Sequence, residues 1–106
     1  MQEDVAFGPL TQQIYTVSQL TSAIKDVLEE EFFEAWVEGE ISNMRSPSSG
    51  HTYFTLKDDK AQIRGVIWKS AMRAMRFQPE DGMQVIARGR VTVYEPRGEY
   101  QIVIEY

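Results

Sequence analysis

The side chains in this chain best able to do chemistry are aromatic rings and cations that alternate with apolar residues. His51, Tyr53, Thr55 and Lys57 occupy one parity of a run whose other parity, Thr52, Phe54 and Leu56, is more apolar. A few residues on, Arg64, Val66 and Trp68 alternate with Ile63, Gly65 and Ile67. Successive side chains of a strand point to opposite faces, so if both runs are strands the Phe and Ile sets line a core. Tyr53, Lys57, Arg64 and Trp68 then share the outside, with Lys69 directly after Trp68. Such a surface suits a single strand of nucleic acid. Cations follow the phosphates while bases stack on rings, at roughly 1–3 kcal/mol per stacked base. Arg88, Arg90 and Thr92 lie on one side of a later run, and Arg45 and Arg97 fall in loops that would flank the groove.

Each of these residues also has an ordinary structural use. A cation on the polar side of a strand is commonly a solvated surface group. Trp68 serves equally well as a core anchor or a barrel lid, and Tyr53 and Tyr94 as packing residues with a bonded hydroxyl. His51, the only histidine, stands beside Gly50 at a loop end, where a structural polar contact is the more ordinary role. What favours binding is that rings and cations coincide on one parity of adjacent strands. No reaction centre emerges. One histidine and no cysteine exclude the common His- and Cys-based metal sites. Asp58-Asp59 reads as a turn, Ser48-Ser49-Gly50-His51 lacks the G-x-S-x-G of a hydrolase elbow, and there is no phosphate-binding loop or dinucleotide fingerprint. No catalytic residue, metal ligand or cofactor is assigned.

The elements that must position the site follow from periodicity. With 106 residues, 42% hydrophobic and 25% charged, the chain is sized for one globular domain. Residues 1–15 read as a flexible lead-in broken by Gly8-Pro9, and residues 16–106 as the folded domain. Leu20, Ile24, Val27, Leu28 and Phe32 recur at helical spacing opposite Lys25, Asp26, Glu29 and Glu30. They predict an amphipathic helix of about four turns over 18–32, N-capped by Ser18. Acids clustered at its C-terminal end oppose the helix dipole and favour fraying of the last turn. From Ala35 the period becomes two, with Val37, Gly39 and Ile41 on one side and Gly39 placed for a sharp bend. Strands follow over His51–Lys57, Gln62–Trp68, Met83–Tyr94 and Glu99–Tyr106, with a short helix over Lys69–Phe77. Five short strands with a helix between the third and fourth is the pattern of an OB-fold, a Greek-key β-barrel that binds oligonucleotides on its second and third strands. A five-stranded sandwich is the alternative.

Charge is divided along the chain. The net charge is −5, yet the first forty residues hold nine acids against Lys25 alone, and the remainder holds ten cations against seven acids. The acidic part is expected to turn away from a polyanion that the basic part faces. The acidic helix end also allows a second class of function, a protein-interaction or assembly module with self-association. An RNA-binding OB domain is a third, since no residue reports on the 2′-hydroxyl. No apolar run approaches the roughly 20 residues of a membrane span, and Met1 to Pro9 lacks the basic region of a signal peptide. With no cysteine, these features point to the cytoplasm.

Several ordered blocks carry a family resemblance: Tyr15-Thr16-Val17-Ser18-Gln19-Leu20, Trp36-Val37-Glu38-Gly39-Glu40-Ile41-Ser42-Asn43, Ser49 to Asp58, Ala61-Gln62-Ile63-Arg64, and Tyr94 to Gln101. From about Tyr15 onward the chain resembles the start of the large subunit of bacterial exodeoxyribonuclease VII. The resemblance implies a cytoplasmic nuclease that degrades single-stranded DNA to oligonucleotides and works with copies of a small helical subunit. It further implies that this segment is the N-terminal OB domain that binds the DNA. The catalytic region and the region gathering the small subunits would come later, in sequence absent here. Trp68 and Lys69 fall where the family carries an aromatic followed by a basic residue. Gly65 replaces a cysteine common there, a change read as core tolerance.

Overall fold

The computed structural model describes residues 13–105. Of the lead-in, residues 1–12 lie outside that range, and Gln13 to Tyr15 precede the first helix without regular structure. The order is α1 (Val17–Glu31), β1 (Ala35–Arg45), β2 (Thr52–Lys57), β3 (Gln62–Ile67), α2 (Lys69–Ala74), β4 (Gln84–Tyr94) and β5 (Glu99–Ile104). The strands close into a barrel in the order β1-β2-β3-β5-β4. The only parallel pairing among the described strands joins β3 to β5. This is the expected OB arrangement, and the sandwich alternative falls away because no sheet edge is left open.

β1 carries the closure. Its first half, Ala35 to Glu40, pairs with β4, and from Glu40 onward it pairs with β2. Gly39 sits just before this handover. A Cβ there would press on Leu56 and on the Lys57 carbonyl at about 3.0 Å, so glycine eases the close crossing of β1 over β2. The inward parity of each strand supplies the core: Ile41, Phe54, Leu56, Ile67, Ala87, Ile102 and Ile104. Each fully buried side chain of this kind contributes roughly 1.5–3 kcal/mol. The alternation expected for β2 holds, with Thr52, Phe54 and Leu56 buried and Tyr53 and Thr55 half-buried on the outside, whereas in β3 it ends at Gly65, after which Val66 and Ile67 are both buried. Gly65 has a sharper role than tolerance. A Cβ at that position would come within 2.4 Å of the ring of Phe54, its cross-strand partner, so the missing side chain leaves the space the ring needs.

The N-cap of helix α1 lies two residues earlier than predicted. Thr16, not Ser18, is the N-cap: its hydroxyl accepts the Gln19 N–H at 3.1 Å, and the Gln19 side chain accepts the Thr16 N–H at 3.0 Å. This reciprocal box satisfies two helix-end donors. The last turn is held by two backbone bonds. The Phe32 N–H donates to the Leu28 carbonyl at 2.9 Å, and the Phe32 carbonyl accepts from Val91 of β4 at 2.9 Å. The helix lies along β4, the wall between β1 and β5. Thr92 donates its hydroxyl to the Glu29 carboxylate at 2.5 Å. Lys25 meets Glu95 at 3.6 Å and Arg90 meets Glu29 at 3.8 Å. Among the described residues, no helix is long and apolar enough to cross a membrane.

Candidate nucleic-acid interface

The site assembles where β3 runs into α2. The β2–β3 register pairs Thr52 with Ile67 and Tyr53 with Val66, which carries His51 and Trp68 past the strand ends side by side. Their rings meet edge to face with centroids 4.7 Å apart. His51 Nδ1 accepts the backbone N–H of Lys69 at 3.0 Å. A neutral imidazole bonded this way carries its proton on Nε2, so that donor is left for a ligand. Gly50, at φ 88°, closes the loop by donating its N–H to the Pro47 carbonyl at 2.9 Å. A Cβ on Gly50 would strike the aliphatic stem of Lys69 at 2.9 Å, so this loop and Lys69 pack directly on each other. Trp68 keeps 39% of its surface exposed and Lys69 is exposed, so ring and ammonium both remain available.

Arg45 and Tyr53 extend the site. Arg45 is the last residue of β1 rather than a loop residue. A bulge between Ser42 and Arg45 inserts an extra residue opposite β2, with Asn43 in the left-handed region at φ 54°. The bulge shifts parity by one. Arg45 therefore stands across from Tyr53, its guanidinium 5.6 Å from the ring centroid. Met44 is held alongside by donating its N–H to Asp81 at 2.9 Å. Val66, although on the outward parity, is buried.

The other predicted residues are spread further. Lys57 ends β2 opposite Gln62, at the hairpin end, so Trp68 has His51 rather than Lys57 as its neighbour. The β2–β3 turn there is fastened by Asp58, whose carboxylate accepts the N–H groups of Lys60 and Ala61, each at 2.8 Å. The Lys60 N–H, then the Ala61 N–H, hold this carboxyl below the usual carboxylate range. Arg64 lies opposite Thr55 and reaches Glu99 at 3.9 Å. Beside it a notch of about 340 Å³ is lined by Thr55, Gln62, Arg64, Glu99 and Tyr100. Tyr100, 57% exposed, is a residue that the sequence reading does not single out; it shares its parity in β5 with the buried Ile102 and Ile104. Arg97 lies in the turn just before Glu99. Arg88 and Arg90 do not join this surface. They point outward from β4, on a different wall, where Arg88 lies over Trp36 at 5.8 Å and meets Glu34 at 3.6 Å, and Arg90 meets Glu29. A cavity of about 530 Å³ opens at the barrel end beneath α2 among Ile41, Phe54, Ile67, Met75 and Val85. It is an apolar hollow, not a cation-lined groove.

The family model described as "OB-fold nucleic acid binding domain" matches residues 15–106. The chain is 61% identical over 90% of its length to the exodeoxyribonuclease 7 large subunit of Geobacter sulfurreducens, covering 21% of that protein. It is 49% identical over 94% of its length to the same subunit of Koribacter versatilis, covering 22% of it. The chain thus spans about a fifth of the length of the curated relatives it matches. Among solved structures, a replication protein A heterotrimer bound to ssDNA matches 69% of this chain and 53% of its own, at TM-score 0.56 and 12% identity. Asparaginyl-tRNA synthetase from Pyrococcus horikoshii matches 80% of this chain and 21% of its own, at TM-score 0.58 and 15% identity. At such identities the structural likeness speaks for the fold alone. Barrel order and family match together make the chain a member of the OB-fold nucleic acid binding domain family.

Proposed function

We propose that this domain holds single-stranded DNA along the outer surface of β2 and β3 on behalf of a nuclease of the exodeoxyribonuclease 7 kind. The observation that carries the reading is the built cluster of His51, Trp68 and Lys69, which sets an exposed indole and an exposed ammonium on adjacent residues. A base stacks on Trp68, Lys69 takes the neighbouring phosphate, and Arg45 and Lys57 continue the cationic track along the strand edges. The acidic helix lies on the β4 wall, out of the path of a polyanion. DNA as the polymer, cytoplasmic location and work beside a small subunit rest on the likeness to the large-subunit relatives. The cutting chemistry is placed in the remaining four-fifths of such proteins.

The test is a titration with a short oligodeoxynucleotide, read by tryptophan fluorescence in a Trp36→Phe background so that Trp68 gives the signal. Quenching that weakens steeply with salt is expected, with duplex of the same sequence binding less well. Equal affinity for duplex, or indifference to salt, refutes the reading. Competition with the matching RNA strand decides the polymer: displacement by RNA at equal concentration removes the DNA assignment.

A further inference from the structure

Helix α1 sits on the barrel the wrong way round for an amphipathic helix. Such a helix normally buries its apolar stripe. Here Lys25 and Glu29 bond to β4 and its turn, with Thr21 and Leu28 half-buried beside them. None of the helix is fully buried. The apolar stripe faces out, with Val17 84%, Leu20 47%, Ile24 47% and Val27 58% exposed. Its spacing of three, four and three residues is that of a coiled-coil seam, with Val17 and Ile24 at a positions and Leu20 and Val27 at d. Lys25 and Glu29, at b and f, belong to the side a coiled coil leaves to solvent, and that is the side the barrel takes.

We infer that α1 is a docking seam for an amphipathic helix with its own apolar 3-4 repeat and with Lys or Arg at its flanking positions. The charge of the seam selects this partner. Glu30 borders the seam at a g position, Glu31 occupies the next a position, and neither forms an ion pair among the described residues. A second copy of this chain fits poorly. In a parallel pair Glu31 would meet its own copy, and in an antiparallel pair no cation meets the acids, because Lys25 is the helix's sole cation and is turned to Glu95. The seam runs over about 15 Å, at 1.5 Å per residue, so three turns of partner helix cover it. Two heptads bury less than the roughly 800 Å² per side of a free-standing interface, so the contact is weak and reversible.

The experiment adds synthetic three-heptad peptides to the isotopically labelled chain and follows amide NMR shifts. One peptide carries Leu at a and d with Lys at e and g; the other has Glu in place of Lys. The Lys peptide is expected to move the Val17–Glu31 amides while leaving β2 and β3 unchanged, and the Glu peptide to bind at least fivefold more weakly. Ile24→Asp should weaken the Lys peptide at least tenfold, although it adds an acid and so strengthens any purely electrostatic attraction. Should Ile24→Asp unfold the chain, Val17→Asp, at the most exposed seam position, replaces it. Equal binding of the two peptides, wild-type binding in the variant, or shifts confined to the barrel overturns the inference. So does sedimentation showing a dimer that Ile24→Asp dissolves, since a second copy would then own the seam. Oligonucleotide affinity should be unchanged in Ile24→Asp, which separates this surface from the one on β2 and β3.

Discussion

Replacing Lys69 and Trp68 one at a time separates the two halves of the proposed grip. On the proposed track Arg45, Lys57 and Lys69 form no ion pair among the described residues, whereas Arg64 is engaged with Glu99. If each neutralises one phosphate of a single strand, the slope of log affinity against log salt is about −2.1, at about −0.7 per contact. Between 50 and 200 mM salt that slope corresponds to a loss of about 18-fold. Lys69→Ala should flatten the slope to about −1.4, a loss of about 7-fold over the same range. Trp68→Ala should instead lower affinity at every salt concentration, by about 5- to 150-fold for one lost stack of about 1–3 kcal/mol, and leave the slope untouched. Anisotropy of a labelled oligodeoxythymidylate across a salt series reads both quantities. A wild-type slope near −2.8 would add a fourth contact, from Arg97 or from Arg64, whose exposed pair with Glu99 is worth only about 0–1 kcal/mol and opens readily. A slope unchanged in Lys69→Ala, or flattened in Trp68→Ala, refutes the assignment of charge to one residue and stacking to the other.

Four further outcomes are expected. His51→Ala should speed hydrogen exchange at the Lys69 amide, which loses its acceptor, and weaken oligonucleotide binding several-fold without changing the salt slope; unchanged exchange would remove His51 as the residue that positions Trp68 and Lys69. Gly65→Ala must displace the buried Phe54 ring and should cost about 1–3 kcal/mol, about 4–8 °C of Tm for each kcal/mol. Gly89→Ala should cost more in the same thermal melts, because its Cβ would meet the Val103 backbone carbonyl, which cannot swing aside as a ring can; the reverse order would contradict the packing. The Asp58 carboxyl is held below its ordinary value, so the stability it adds is fully present above the unfolded carboxylate pKa of about 3.9 and is lost as pH falls through the lowered one. The Tm gap between wild type and Asp58→Asn should therefore be constant near neutrality and close only in acid.

Strand parity was legible because period-2 patterning is local, and so was the helix between β3 and β4. The outward setting of Trp68 and the inward setting of Phe54 follow from it. What local patterning lacks is a count of residues across a pairing. Arg45 reads as a loop residue until the bulge at Asn43 makes it the strand end facing Tyr53. His51 reads as the end of a loop until the β2–β3 register sets it against Trp68 and Lys69. The N-cap is a different case. Ser18 and Thr16 both have the right side chain, but only Thr16 has a Gln three residues on, so the capping box could have been read directly.

The arginines of β4 show why parity is not placement. Arg88 and Arg90 point outward as their alternation requires, yet a closed barrel has five outward walls and the pattern of one strand does not say which. Closure through β1–β4 and β3–β5 sets them beside α1, where Glu34 and Glu29 meet them. The same pairing turns the helix over. With carboxylate and ammonium groups holding α1 to β4, its polar edge is spent on the barrel and its apolar seam is left outward. One exchange thus accounts for two surfaces. Two of the chain's cations are engaged by its most acidic segment, which confines the cations open to a polyanion to other walls, Lys69, Arg45 and Lys57 around β2 and β3 among them. The acids left over, Glu30 and Glu31, border a seam that calls for a basic helix. A domain built this way can hold a nucleic acid on one wall and a helical partner on another without the two competing for the same charges.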